Sequence, residues 1–185
     1  MTTRKHSRAK VTLRSGDPAD AATIHALITA NLEEGHLLPR SLGELTVHAT
    51  RFVLAVSKRK IVGCAELAPL SPGVAEVRSL VVDPGARGSH AGTMLVDELR
   101  RRAQRDGYEK LCAFTHAPGY FTRMGFSIVP HSWLLEKVFT DCLKCPQFKK
   151  CGQYAMVVPL DYGRPKSIDD RAGDDVPCAL SAPPA

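Results

Sequence analysis

Two groups of residues in this 185-residue chain have types and spacings that can do chemistry. The first is Arg87-Gly88-Ser89-His90-Ala91-Gly92-Thr93, which follows an apolar strand pattern at 75–82 and an Asp83-Pro84-Gly85 break and leads into a helical pattern at 91–105. Backbone N–H groups at a helix start lack intrahelical partners, and with the helix dipole they make an anion site. Gly88, Ser89, Ala91 and Gly92 let phosphate oxygens approach the backbone, and Arg87 adds a cation. The same order also suits an ordinary strand–turn–helix. Neither a Gly-Lys-Ser/Thr phosphate loop nor a Gly-x-Gly-x-x-Gly dinucleotide fingerprint is present.

The second group is Asp141-Cys142-x2-Cys145-x5-Cys151. Two thiolates at Cys-x-x-Cys spacing fold around one ion, so Cys142, Cys145 and Cys151 are candidate metal ligands. A closed zinc site needs a fourth ligand, for which His131, Cys112 and Cys178 are all available in the sequence. An iron–sulfur site, dithiol redox chemistry and plain free thiols are the alternatives.

The elements that must position these residues can be read from composition and periodicity. Hydrophobic residues make up 44% and charged residues 24%, which is ordinary for a soluble globular domain. Aromatics are 6%, too few for stacked platforms that bind single-stranded nucleic acid. No apolar run reaches the length of a membrane span, and no export signal opens the chain. A reducing cytoplasm is therefore the expected location, without disulfides. The net charge of +6 includes a basic start, Arg4, Lys5, Arg8 and Lys10. We read residues 1–10 as a solvated disordered arm, 11–160 as one domain, and the aspartate- and proline-rich 161–185 as a disordered tail.

Within the domain, 11–14 is a strand, and Asp17-Pro18 opens a helix as N-cap and first residue. Ala21, Ile24, Leu27, Ile28 and Leu32 form its core face, and Gly35 its C-cap. A short helix follows near 41–50, then strands at 51–56, 61–68 and 75–82, with a loop at 69–73. The long helix at 91–105 precedes a strand at 109–114, a helical turn at 120–124, and strands at 126–129 and 153–160. The order β-α-α-β-β-β-α-β-α-β-β mixes turn-connected strand pairs with helical crossovers. It predicts an α+β domain with a mixed, mostly antiparallel sheet.

Val82-x-Pro84-x-x-Arg87-Gly88-x-x-x-Gly92, after Glu76-Val-Arg-Ser-Leu80, resembles the acetyl-CoA signature of the GCN5-related N-acetyltransferases (GNAT). His90 stands where the signature has its middle glycine. Tyr120-Phe121-x-x-x-Gly125-Phe126 resembles the family's second motif, with Phe121 at the position of a tyrosine that many members use as an acid. A narrower likeness is Gly35-His-Leu-Leu-Pro-Arg40-Ser41, which is similar to the first-helix loop in the acetyltransferase domain of the N-acetylglutamate synthases. Their amino-acid-kinase-like domain has no counterpart here, so a short single-domain form is expected.

The resemblance implies a GNAT fold with acetyl-CoA as cosubstrate, held in a split between the strands ending near Val82 and Phe114. It implicates Leu80, Val82, Arg87, Gly88, Ser89, His90, Ala91, Gly92 and Thr93 in binding it. His90 can donate its N–H if its φ is negative. The reaction is direct attack of a neutral amine on the thioester, which needs a base because the ammonium form dominates near neutrality. Glu76 stands at the family's position for that base. Ser79 is a candidate donor to the leaving thiolate, although strand alternation sets it opposite Glu76 unless a bulge intervenes. Arg40 would hold a substrate carboxylate, with Arg78 as a second cation. The synthases' C-terminal Arg-x-Ser pair is replaced by Gln153-Tyr-Ala155.

These points predict an amino-acid N-acetyltransferase, forming N-acetylglutamate for arginine synthesis. The alternatives are acetylation of another amine, on a protein or a small molecule, and a non-catalytic metal- or redox-responsive module. The expected partner is a small amino acid. No nucleic acid or membrane partner is expected, and a homodimer is compatible with the class.

Overall fold

The computed structural model describes residues 10–33, 37–146 and 148–160. The expected arm (apart from Lys10), Gly35, Cys178 and the expected tail lie outside them; the first helix ends at Thr29 with Ala30 as its C-cap, so it stops short of the cap expected at Gly35.

Seven strands form one sheet: β1 (Val11–Ser15), β2 (Phe52–Ser57), β3 (Lys60–Ser71), β4 (Val74–Val82), β5 (Lys110–Thr115), β6 (Ser127–Val129) and β7 (Tyr154–Pro159). Their spatial order is β1-β2-β3-β4-β5-β7-β6. Every pairing is antiparallel except β4 with β5. The helices are α1 (Ala21–Thr29), α2 (Leu42–His48), α3 (Ala91–Arg105), α4 (Pro118–Thr122) and α5 (Leu135–Thr140). This is the mixed, mostly antiparallel architecture read from the sequence.

Local chemistry explains the element starts. Asp17 accepts the Ala19 N–H, and Asp20 accepts the Asp17 N–H, each at 2.9 Å. This reciprocal capping organises a 3-10 turn, Pro18–Asp20, directly ahead of α1. Ser41 caps α2 by accepting the Glu44 N–H at 3.1 Å.

The apolar stripe of α3, Ala91, Leu95, Leu99 and Ala103, packs on Val53, Ala65, Val77 and Leu111 from one face of the sheet. On the other face Ile24, Ile28 and Leu45 of α1 and α2 cover Phe52, Leu54, Cys64 and Val81. Each such fully buried aliphatic side chain contributes about 1.5–3 kcal/mol. Leu134, just before α5, closes the far end of that second face over Val74, Cys112 and Ala155.

Beyond small shifts at element ends, two differences from the sequence reading stand out. β3 runs through Pro69 to Ser71, where a loop was expected, and the turn is Pro72-Gly73. Beyond Glu66 β3 has no β2 partner, and an open strand margin tolerates proline. The second difference is α5, a six-residue helix in a stretch to which the sequence reading assigned no element. It is too short to display helical period in sequence.

Two irregularities around β4 open the sheet. β4 and β5 are paired only over Val74–Val77 and Lys110–Ala113, after which the strands part. On the other side of β4, Cys64 faces Val81 and Glu66 faces Arg78, so Ser79 and Leu80 together oppose Ala65 alone. This is a β-bulge, and Ser79 carries it at φ +51°.

Candidate active site

The parted strands enclose one side of a cavity of about 620 Å³. Leu80 and Val82 line it from β4, Phe114 and Thr115 from β5, and Arg87, Gly88, His90, Ala91, Gly92 and Thr93 from the loop and the start of α3. Eight of the nine residues expected to hold the cosubstrate therefore line one space. Ser89 does not. Its hydroxyl turns inward and donates to the Ala86 carbonyl at 2.5 Å.

His90 differs from its sequence expectation. Its φ is +65°, in the left-handed region, and its side chain makes no cap. A glycine meets no steric penalty there, and histidine is one of the few other types that visit the region. The first helical bond of α3 is Met94 N–H to the His90 carbonyl at 3.0 Å. The N–H groups of Ala91, Gly92 and Thr93 are thus left without helical acceptors. With the dipole of a fifteen-residue helix behind them, they are suited to a phosphate. The site fits acetyl-CoA: a donor-rich helix end at one side and a widening between two strands at the other.

The bulge settles the alternation question. Arg78 and Ser79 are consecutive, yet Arg78 bonds Glu76 and Ser79 bonds Arg40, which also bonds Glu66. All of these polar atoms meet on the sheet face that α1 and α2 cover. Ser79 also lines the cavity.

Arg40 is buried at this face, its side chain 8% exposed. Its Nε donates to Glu44 at 2.9 Å, and its Nη1 donates to Glu66 and to Ser79 Oγ, both at 2.9 Å. Its Nη2 lies 2.8 Å from Glu44 but lacks hydrogen-bond alignment, and so keeps donor capacity. Burial works against the cation, and the bonds to Glu44 and Glu66 outweigh it, so Arg40 is held above its ordinary pKa.

Glu76 is 3% exposed and does not line the cavity. Arg78 donates to it at 2.6 and 3.0 Å, and Lys137 of α5 at 2.8 Å. Asp141 completes the quartet, accepting from Lys137 at 2.9 Å and from Arg78. Burial opposes the Asp141 charge, but Lys137 and Arg78 prevail and hold its carboxyl below the usual range. Lys137 also sits 5.4 Å from the centre of the Phe114 ring, itself part of the cavity wall. Lys137 gave no signal in the sequence, because α5 had none, and Asp141 stood out only as the first residue of the cysteine group.

Among the described residues no carboxylate lines the cavity, whereas His90 and His116 do. His116 stands at the end of β5, its ring 3.5 Å from where a Cβ on Gly152 would be, with Gln153 also in the wall. A lone histidine outside any motif offered nothing for sequence reasoning to find.

Among the described residues no three His, Cys, Asp or Glu side chains come together as a metal site. Cys142 and Cys145 are half-buried across a 3-10 turn, closed by Cys145 N–H to the Cys142 carbonyl at 3.0 Å, and Cys151 is exposed. Of the expected fourth ligands, Cys112 is buried in the sheet and His131 packs on Phe114 at 5.5 Å.

Comparison with known proteins agrees with this geometry. A family model described as the acetyltransferase (GNAT) family matches residues 23–126. An N-acetyltransferase of Chlorobaculum tepidum is 30% identical over 152 residues, covering 82% of this chain and 98% of the relative. An amino-acid acetyltransferase of Shewanella oneidensis is 32% identical over 139 residues, covering 75% of this chain. The chain spans only 29% of that relative's length. The crystal structure of N-acetylglutamate synthase from Neisseria gonorrhoeae, complexed with coenzyme A and N-acetyl-glutamate, superposes with a TM-score of 0.73 at 26% identity. The match covers 82% of this chain and 35% of that one.

Proposed function

The chain belongs to the GNAT acetyltransferase family, and from that premise we propose that it acetylates the α-amine of an acidic amino acid, glutamate first. The observation that carries this reading is Arg40: a buried guanidinium one hydrogen bond from the cavity through Ser79, with an Nη2 that still has donor capacity. A guanidinium in such a place is matched to a carboxylate. The similarity to a synthase solved with N-acetyl-glutamate supports the same acceptor, as do the amino-acid acetyltransferase relatives.

Acetyl-CoA, when bound, supplies the acetyl thioester. The residues at Arg87–Thr93 hold its phosphates, with Leu80 and Val82 along its arm. Ser79 accepts a hydrogen bond from Arg40, so its own O–H is left to donate, and we assign it to the leaving sulfur. Arg40, supported by Arg78, orients the acceptor carboxylates. Glu76 is assigned as a positioning residue, because its oxygens are engaged by Arg78 and Lys137 and it stands outside the cavity wall. The amine proton goes to His116, whose imidazole is a general-base type of side chain and which lines the cavity on the β5–β7 side. The test is thiol release from acetyl-CoA across free amino acids and carboxylate-free amines. Turnover confined to amines without a carboxylate overturns the reading.

A further inference from the structure

Tyr120 comes from α4, next to the residue that the second motif singles out. Its neighbour Phe121 turns into the core, edge-on to Phe126 at 5.2 Å, and has no polar atom. Tyr120 lines the cavity as well, and unlike Phe121 it brings a polar atom to it. Its hydroxyl oxygen is buried and makes no hydrogen bond. The Thr93 side chain approaches it as a weak hydrogen-bonding neighbour, without the geometry of a formed bond. The same oxygen lies 2.8 Å from where a Cβ on Gly92 would stand. It therefore sits directly over the first turn of α3, where three N–H groups lack helical acceptors.

A buried O–H left unpaired is unfavourable by about 1–3 kcal/mol unless an acceptor arrives. Here the surroundings specify that acceptor: the positive end of a helix, orphan N–H donors and Arg87 in the same wall all favour an anion. We propose that the Tyr120 hydroxyl is a ligand of the acetyl-CoA diphosphate, donating to a phosphate oxygen held at the α3 start. This rests on the acetyl-CoA reading above and adds a donor to which the resemblance assigned no role. Burial raises the phenol pKa, so the group remains a donor throughout the neutral range. Gly92 acquires a second reason to be glycine, because a side chain there would occupy the position of the hydroxyl.

The experiment compares wild type with Tyr120→Phe, using calorimetric titration with coenzyme A and NMR titration with pantetheine, which lacks the diphosphate. The substitution removes one oxygen and keeps the ring, and a circular-dichroism melt checks the fold. A charge-assisted bond predicts about tenfold weaker coenzyme A binding, with pantetheine affinity changed less than twofold. Unchanged coenzyme A affinity overturns the proposal. Equal weakening of both ligands places the hydroxyl on the pantetheine arm and also overturns it, as does a fall in acetyl transfer with coenzyme A affinity intact. Failure of the wild-type protein to bind coenzyme A at all overturns the underlying acetyltransferase reading, and this proposal with it.

Discussion

The Arg40 guanidinium donates to the Ser79 hydroxyl at 2.9 Å, tying the loop before α2 to the bulge of β4. The contact spans 39 residues of sequence and joins the proposed carboxylate clamp to the proposed thiolate donor. Arg40→Ala should raise the KM for glutamate at least tenfold while leaving the KM for acetyl-CoA unchanged, since charge-assisted bonds contribute roughly 1.5–3 kcal/mol each. Arg40→Lys should rescue only part, because an ammonium keeps charge and loses the fork. Steady-state kinetics with both substrates varied would check this. No change in either variant rules out Arg40 as the clamp.

The assignment of the base rests on two variants. His116→Gln should lower kcat by roughly 10²–10⁴-fold at neutral pH. Glu76→Gln should mainly raise acceptor KM, with kcat falling less than tenfold, because it loosens Arg78 and Lys137 instead of removing the proton acceptor. The opposite pattern, a large kcat loss in Glu76→Gln at constant KM, restores Glu76 as the base.

Gly92 and Tyr120 should be energetically coupled. A Cβ at 92 would meet the Tyr120 hydroxyl at 2.8 Å, while the next ring atom, Cζ, is 3.7 Å away. Gly92→Ala should destabilise the fold by about 1–3 kcal/mol through overpacking, and Tyr120→Phe should relieve most of that. Urea denaturation of the two single variants and the double variant gives the coupling directly. Gly92→Asp, which also places a carboxylate at the helix start, should abolish acetyl-CoA binding in a folded protein.

Asp141 links the cysteine loop to the quartet below Phe114. Its carboxyl is held below the usual value, so its stabilising contribution is complete above its ordinary pKa of about 4 and is lost as pH falls through the lowered folded value. Wild type should therefore exceed Asp141→Asn in stability at pH 7, and the difference should shrink as pH drops below about 4. Partial exposure limits the gap to about 1 kcal/mol or less. A gap that does not vary with pH would show that the carboxylate charge is not what the quartet uses.

The order of elements, the start of α3 and the small-residue loop were all legible in the sequence. Apolar spacing, caps and glycines act over one or two turns, and that range is local. The family resemblance grouped Leu80, Val82 and the Arg87–Thr93 run, and all of them but Ser89 line one cavity. The pairings of the charged groups were not legible. Glu76 meets Lys137 across 61 residues, and Arg40 meets Glu66 across 26, so their partners depend on strand register and on how α5 and the α2 loop pack. Only the bulge at Ser79, an irregularity set by pairing with β3, turned Ser79 to the side of Glu76. His116 and Tyr120 acquired their roles in the same way. A side chain's chemistry is encoded in its type, but whether it faces a cavity, a counter-ion or the core is decided by elements distant in the chain, through the packing that closes the sheet.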